Sequence, residues 1–369
     1  MQGLSINTFE LENTMFPIVY GGDAPNTKGD KILGQEFVKG KIVLCDEVLS
    51  DEAVLATGAV GTIMADTESS DVAFSFTLPN SCLSLNDDRK VKDYYNSSRM
   101  PSATIQKSIE EKDELAPYVV SFSSRGLTQL QPVLTAPGAD ILAALSEAST
   151  VTGIEGDTRV VPYNIISGMS MSCPHATAAA AYIKSFHPTW SPAAVNLSMK
   201  FETNPDAEFA YGAGHINPAR AISPGLVYDA GEVDYLNFLC GQGYSSASLR
   251  LVTGDNSSCS RATSIPAWYL NYPSFTLSSR SKSVITRLFP RTVTNVGSPV
   301  STYKAIVNAP TGLKIEVIPN VHSFESLGQK KFFSVKVTAE MDGSIISGSF
   351  VWYDGVHRVR SPVVAYVSS

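Results

Sequence analysis

A serine stands where a strand turns into a helix within YNIISGMSMSCPHA, residues 163–176. The apolar run 163–166 is typical of a strand, Ser167 and Gly168 form a turn, and an alanine-rich helix is predicted to follow. Ser170 lies at the start of this helix, where unpaired backbone N–H groups and the helix dipole favour negative charge. A hydroxyl at this place can attack a carbonyl carbon while N–H groups stabilise the oxyanion. Ser170 is therefore the candidate nucleophile.

The same residues allow two other interpretations. A serine before an alanine-rich helix is most often an N-cap, which satisfies a backbone N–H and does no chemistry. The letters G-M-S-M-S also fit half of the G-x-S-x-G elbow of α/β hydrolases, but Ser172 occupies the second glycine position. We expect Pro174 in the first helical turn, where a missing N–H loses no helical bond. The small residues 176–181 predict a central, buried helix.

A resemblance decides between these interpretations. SGMSMSCPHA resembles the serine block of the subtilisin-type proteases, G-T-S-M-[AS]-C-P-H-[AV], with Met169 standing where that family has threonine. The resemblance continues through SFHPTWSPAA, AYGAGHINPARA and PGLVYDAGEVDYLNFLCGQGY. Together these segments are similar to the cucumisin-like branch of plant subtilases. It implies a subtilisin-type serine endopeptidase that cleaves protein or peptide substrates through an acyl-enzyme on Ser170.

The resemblance also implies the domain organisation. The expected fold class is α/β, with a partial subtilisin-like parallel-sheet domain, an inserted protease-associated α+β domain and a C-terminal fibronectin-III-like β-sandwich. The alternating apolar and polar runs after about residue 268 predict that sandwich independently. The expected parts are a residual catalytic-domain connector (1–15), a shortened protease-associated domain (16–112), the C-terminal half of the catalytic domain (113–245), and a linker with the sandwich (246–369).

Two strands and a helix are expected in the catalytic part. Residues 117–126 predict a strand followed by a loop, and residues 133–145 predict a turn followed by a buried apolar strand. Ser191 with Pro192 favours a second helix start, although Asn196 and Lys200 would fall on its buried face.

The partners of a catalytic serine are missing from the recognised motifs. A serine hydroxyl needs a histidine base, which an aspartate orients. In the family these lie in His-Gly-Thr and Asp-Thr/Ser-Gly motifs upstream of the inserted domain, as does an oxyanion asparagine, whereas the 369 residues contain neither motif. We therefore expect this polypeptide alone to be inactive, because losing triad members lowers catalysis by several orders of magnitude. Its partner would then be the missing N-terminal half; the alternative is a non-catalytic remnant or interaction module of a truncated gene.

None of the five histidines resembles the base. His175 follows Ser170 on the same helix and is aimed away from it, so a core or supporting role is expected. His187 comes at the helix end, where a cation suits the dipole. The others are His215, in a glycine-rich turn, and His322 and His357, in the expected sandwich.

The five cysteines give one candidate disulfide. Cys240 and Cys259 flank a loop and can pair in an oxidising compartment. Cys173 is predicted to be a small buried hydrophobe. Cys45 and Cys82 have no assured partner. In the family, the cysteine at the position of Cys45 usually faces an upstream cysteine. Because the missing upstream half would flank the alanine-rich helix, we also expect that helix to expose apolar surface.

Composition excludes several partner classes. The net charge is −7, the pI is about 5.3 and the basic residues are scattered, which argues against nucleic acid and anionic membranes. No apolar run reaches the roughly 18 residues of a membrane span, and the N-terminus as written lacks the pattern of a signal peptide. The family implies an extracellular (apoplast) location, and glycosylation sequons occur at Asn96, Asn196 and Asn256. No metal-ligand spacing is present, and no cofactor is expected.

Overall fold

The computed structural model describes residues 3–23, 34–48, 51–67, 71–112, 116–125, 134–191, 208–259, 265–342 and 345–367. The chain divides into two units. The first contains Met1–Ser123 and Pro137–Met171, and the second contains Ser124–Ala136 and Ser172–Ser369.

A five-stranded sheet with the strand order β4-β3-β2-β1-β5 organises the first unit. Strands β1 to β4 run parallel and β5 is antiparallel to β1. The strands are β1 (Phe16–Tyr20), β2 (Ile42–Cys45), β3 (Gly61–Asp66), β4 (Asn80–Ser84) and β5 (Ser102–Ala103); the helices are α1 (Gln35–Val38), α2 (Glu52–Ala56) and α3 (Leu85–Ser97), with a 3₁₀ turn at Gly21–Asp23.

Both faces of this sheet are buried, which explains why β2 and β3 read as continuous apolar runs. Ile42 and Leu44 pack with Ile63 in one cluster, while Val43 lies on the opposite face with Val54. Side chains of successive strand residues point to opposite faces, so a strand covered on both sides needs apolar residues throughout.

A buried carboxylate joins α2 to the segment before β4. Asp51 is 0 % exposed. Its Oδ2 accepts hydrogen bonds from Thr77 N–H (2.7 Å), the Thr77 hydroxyl (2.6 Å) and Leu78 N–H (2.9 Å). These three bonds hold a loop that contains little regular structure of its own.

Residues 134–186 contain short strands and one long helix. In the described residues 117–125 there is no strand, so the strand predicted there is wrong. The elements of residues 134–186 are β6 (Leu134–Thr135), β7 (Ile141–Ala144), β8 (Tyr163–Ile166) and α4 (Met169–Phe186). The strands β7 and β8 form an antiparallel pair in the first unit.

Strand β7 is not buried, contrary to expectation. Its side chains alternate between half-buried and exposed, and Leu142 is 70 % exposed. An apolar run gives the propensity for a strand but not the layer that covers it, so the sequence alone overestimated its burial. The helix predicted after Ser191 lies outside the described residues.

Short elements precede the sandwich in the second unit, where β6 pairs in parallel with β9. They are α5 (Glu208–Tyr211), β9 (Gly214–His215), α6 (Pro218–Ala221), β10 (Leu226–Val227), α7 (Glu232–Gly241) and α8 (Ser246–Thr253). The predicted disulfide between Cys240 and Cys259 is confirmed, and it ties the end of α7 to the segment after α8.

The predicted β-sandwich is confirmed as two sheets, with the strand orders β10-β12-β16-β14 and β11-β18-β17-β13-β15. Its strands are β11 (Phe275–Ser279), β12 (Val284–Asn295), β13 (Ser301–Asn308), β14 (Leu313–Ile318), β15 (Val321–Phe324), β16 (Lys330–Glu340), β17 (Ile346–Tyr353) and β18 (Arg358–Val367). Their inward side chains form one large core that contains Phe275, Phe289, Phe333, Phe350 and Trp352.

A buried arginine fastens the segment that enters the sandwich. Arg291 is 3 % exposed, and burial lowers the pKa of its guanidinium to about 9. It donates to the carbonyl oxygens of Trp268 (2.8 Å), Tyr272 (2.8 Å) and Ser274 (3.2 Å) and lies over the ring of Phe275. The carbonyl oxygens satisfy the donors of a cation that would otherwise be costly to bury.

A buried histidine lies among the aromatic side chains of the sandwich. His322 is 5 % exposed, and its ring centroid is 4.9 Å from Trp352 and 5.8 Å from Phe333. Its Nε2 has no hydrogen-bond partner within the described residues. Burial, and then the positive charge of Lys331, hold the pKa of His322 below its usual value.

Removing the Asp51 carboxylate should destabilise the first unit. Asp51→Ala leaves two buried N–H groups and a hydroxyl without an acceptor, and we expect a loss of about 3 kcal/mol. Amide hydrogen exchange at Thr77 and Leu78 measures this loss. Asp87→Asn, which removes a half-buried carboxylate of α3 that pairs with Lys90, is the control and should leave these amides unchanged. Equal protection in Asp51→Ala and the parent chain would contradict the role of Asp51.

The sandwich should lose stability in mild acid. The unfolded chain binds a proton at His322 near pH 6.5, whereas the folded chain resists it, so stability falls as pH drops below about 6.5. The slope should reach at most about 1.4 kcal/mol per pH unit. Urea unfolding monitored by tryptophan fluorescence reports on this unit, because all three tryptophans lie in it.

His322→Phe should flatten this pH dependence, because phenylalanine fits an aromatic cluster and does not titrate. Lys331→Gln is the matched variant; removing its charge should reduce the slope without abolishing it. A slope that is the same in His322→Phe and in the parent chain would show that another group causes the acid sensitivity.

Candidate functional site

Hydrogen bonds between two turns fix the place where helix α4 begins. Gly168 N–H donates to Gly138 O (2.8 Å), and Asp140 N–H donates to Ser167 Oγ (2.8 Å). The Ser167 hydroxyl donates in turn to Asp140 Oδ1 (3.1 Å), which also accepts from Ala73 N–H (3.2 Å). The strand β8 therefore ends at a braced turn, and the helix starts immediately after it.

Asp140 adopts a backbone conformation that few residues tolerate. Its φ is +50°, in the left-handed region. Aspartate is among the residues that enter this region, because its short side chain can bond to nearby backbone and side-chain groups. The hydrogen bonds to Ser167 stabilise Asp140 in this conformation. Asp140 therefore helps to position the turn before Ser170.

Ser170 is the second residue of α4 and is exposed. The structure therefore confirms the predicted strand, turn and helix around it. Within the described ranges its Oγ makes no hydrogen bond. Met171 N–H donates to Gly168 O (3.0 Å). The other N–H groups at the start of the helix have no carbonyl partner within the helix. The position offers a hydroxyl next to helix N–H donors, as the sequence predicts.

Pro174 lies deeper in the helix than predicted. Because α4 begins at Met169, Pro174 is its sixth residue and not part of its first turn. The missing N–H would have donated to the carbonyl oxygen of Ser170, so the backbone behind the candidate nucleophile lacks one helical bond.

The alanine-rich helix is largely uncovered. Only Ala179 and Ile183 are buried, packed with Ala221. Tyr182 and Phe186 are 45 % and 53 % exposed. The prediction of a central buried helix is therefore wrong, whereas the expected exposure of its apolar surface is confirmed. Small residues permit close packing but do not supply the elements that would pack there.

Cys173 is exposed, not buried as the sequence suggested. It lies on the uncovered part of α4. Cys45 is half-buried and Cys82 is buried, and both are free thiols. Burial raises the pKa of each to about 11, so neither is an activated thiolate.

The five histidines all belong to the second unit, and the residues of the unit that contains Ser170 include none. His175 follows Ser170 by five positions on the same helix, which turns its side chain by about 140° from that of Ser170. His187 bonds through Nε2 to Ile222 O (2.7 Å) and stacks on Trp190. His215 Nδ1 lies 3.1 Å from Ile216 O.

The remaining two histidines lie in the sandwich. His322 is the buried residue described above, and His357 Nδ1 lies 2.8 Å from Asp354 Oδ2. Sequence reasoning did not predict this last pair, because Asp354 and His357 lie in a turn with no motif of the family around them.

Two features are absent from the described residues. No helix of the described part of the chain has the length and apolar character required to cross a bilayer. Over the same residues, no group of three or more histidine, cysteine, aspartate or glutamate side chains is arranged to hold a metal ion.

Comparison with known sequences identifies two regions. A sequence model of the subtilase family matches residues 48–215, and one of a fibronectin type-III domain matches residues 269–365. Subtilisin-like protease SBT4.3 of Arabidopsis thaliana is 42 % identical over 99 % of this chain and 53 % of its own length. SBT4.4 of the same plant is 41 % identical over 100 % of the chain and 53 % of its own length. The chain thus spans about half the length of these relatives.

Two solved structures each resemble about a quarter of the chain. A FixG-related protein from Vibrio parahaemolyticus matches 23 % of this chain and 81 % of its own, with 12 % identity and a TM-score of 0.20. The VesB protease of Vibrio cholerae matches 26 % of this chain and 30 % of its own, with 12 % identity and a TM-score of 0.20. Likenesses of this size do not bear on function.

Replacing Pro174 should strengthen the start of α4. Pro174→Ala restores an N–H donor for the carbonyl oxygen of Ser170, and we expect a gain of about 1–3 kcal/mol in local helix stability. Hydrogen exchange of peptides covering residues 169–180 measures the gain as slower exchange. Ala178→Gly, at an exposed position of the same helix, is the control and should speed exchange. Unchanged or faster exchange in Pro174→Ala would contradict the assignment of Pro174 to the helix interior.

Proposed function

Because this chain belongs to the subtilase family and carries a C-terminal portion of a plant member, we propose that Ser170 is the nucleophile of a serine endopeptidase. One observation supports this most directly. Ser170 is an exposed hydroxyl in the first turn of α4, after a braced turn, within the segment that matches the family. Its substrate class is then the peptide bond of a protein or peptide.

The chemistry of such a site follows from the position of Ser170. Its Oγ attacks the carbonyl carbon of the peptide bond, and N–H groups at the start of α4 stabilise the negative charge on the carbonyl oxygen. The amine leaves, and water then hydrolyses the acyl-enzyme. Each step needs a base that accepts the serine proton and returns it to the leaving amine.

That base is the component for which these 369 residues offer no candidate. They contain no His-Gly-Thr and no Asp-Ser/Thr-Gly motif, and the unit of Ser170 includes no histidine. We therefore propose that a polypeptide of these residues alone does not hydrolyse peptides at a useful rate. The histidine, the aspartate and the oxyanion asparagine of a working enzyme would come from additional sequence.

The proposed domain roles follow the same resemblance. The parallel sheet β1 to β4 with β5 supports a protease-associated domain at residues 16–112, and the elements from β6 to α7 support a partial catalytic domain at 113–245. The sandwich lies within the proposed C-terminal part, 246–369. An extracellular location is supported by the Cys240–Cys259 disulfide, since such bonds persist in oxidising compartments.

A second candidate function is an interaction module without catalysis. The uncovered apolar side chains of α4, Tyr182 and Phe186 among them, favour it, because exposed apolar patches mark contact surfaces. The transcript distinguishes the two candidates. An upstream in-frame extension that encodes both missing motifs supports the endopeptidase, and an in-frame stop codon before residue 1 supports the interaction module.

Activity of the purified chain tests the proposal directly. We expect no cleavage of a fluorogenic casein substrate above the rate of Ser170→Ala, because the missing base alone lowers the rate by several orders of magnitude. Ser172→Ala is the matched control, since Ser172 Oγ bonds to Ala136 O and is not placed for attack. Cleavage that Ser170→Ala abolishes and Ser172→Ala retains would refute the proposed inactivity.

A further inference from the structure

A second serine lies beside a histidine and an aspartate, far from Ser170 in the sequence. Ser223 follows α6 and is exposed. His357 and Asp354 belong to the turn between β17 and β18. His357 Nε2 lies 3.4 Å from Ser223 Oγ, and His357 Nδ1 lies 2.8 Å from Asp354 Oδ2. This is the order of groups that activates a serine: hydroxyl, imidazole, carboxylate.

Asp354 determines which nitrogen of His357 holds the proton. Its carboxylate accepts backbone N–H bonds from Val356 (2.9 Å) and His357 (2.6 Å), and it is also bonded by the Tyr303 hydroxyl. Burial acts to raise the pKa of Asp354, but these bonds and the one from the His357 ring bring it down to about 2. The carboxylate is therefore ionised near neutral pH and holds the proton on Nδ1, which leaves the Nε2 lone pair facing Ser223.

Close packing holds the imidazole in this orientation. The side chains of His357 and Asp354 are 12 % and 6 % exposed. A Cβ atom at Gly225 would lie 2.6 Å from His357 Cβ, and one at Gly297 would lie 3.1 Å from His357 Cε1. The Tyr303 hydroxyl crowds the same two positions. His357 therefore has little room to move and needs little reorganisation before it accepts a proton.

We propose that Ser223, His357 and Asp354 form a second nucleophilic site, which takes activated acyl, sulfonyl or phosphonyl groups. The residue after the serine disfavours peptides as substrates. Pro224 has no N–H, so this position supplies no donor to an oxyanion. A reagent with a good leaving group depends less on such a donor than a peptide bond does.

Sulfonyl fluorides are one class of reagent with a good leaving group. Ser223 Oγ forms a bond to sulfur, the sulfur–fluorine bond breaks, and fluoride leaves with the bonding pair. The hydroxyl proton passes to His357 Nε2 and then to solvent, and the imidazolium is stabilised meanwhile by Asp354. The product is a stable sulfonate ester on Ser223.

Labelling of the full chain with phenylmethylsulfonyl fluoride tests the site. Peptide mass spectrometry should find the adduct on Ser223, and labelling there should be faster than at other exposed serines. His357→Gln should slow labelling of Ser223 by about a hundredfold, the usual contribution of a general base. Ser245, another exposed serine, has Ser248 as its partner and should stay unlabelled.

Asp354→Asn keeps an acceptor oxygen for the turn but no longer fixes the Nδ1 proton, so it should also slow labelling. Tryptophan fluorescence checks that each variant remains folded. An unlabelled Ser223, or labelling of Ser223 in the parent chain no faster than that of Ser245, would overturn the proposal, even if His357→Gln fails to fold. Labelling at Ser170 would instead challenge the proposed lack of a base there, so the two proposals can fail separately.

Discussion

The hydrogen bonds between the turn at Asp140 and the turn at Ser167 are the constraint on which the candidate active site depends. They end strand β8, fix the first residue of α4 and so set the exposed position of Ser170. The left-handed backbone of Asp140 is tolerated because its side chain makes these bonds. A serine in the first turn of a helix then has N–H donors beside it without any further device.

The two proposed nucleophiles, Ser170 and Ser223, have complementary parts of an acyl-transfer site. Ser170 has the helix N–H donors, but no histidine lies within its unit. Ser223 has an oriented imidazole, but the proline that follows offers no donor to an oxyanion. Peptide-bond hydrolysis needs both parts at one hydroxyl, because the amine is a poor leaving group and the oxyanion must be stabilised. The peptide bond is therefore proposed as the substrate of Ser170, and groups with a better leaving group as the substrates of Ser223.

Burial is unevenly distributed along the chain. The sheet β1 to β4 is covered on both faces, and the sandwich encloses a large aromatic core. In the part of the sequence between the sheet and the sandwich, β7 and most of α4 expose apolar side chains within the described residues. Exposed apolar patches commonly mark contact surfaces, which is the observation behind the interaction module proposed as a second function.

The sequence alone determined the elements whose signals are local. The strand, turn and helix at Ser170, the Cys240–Cys259 pair and the alternating strands of the sandwich all follow from spacing and residue type. The tertiary structure alone decided the burial of β7, α4 and Cys173, because burial depends on which elements cover a face. It also decided the meeting of Ser223 with His357, which are 134 residues apart. No local pattern encodes such a contact, because only the closure of the sandwich brings the two loops together.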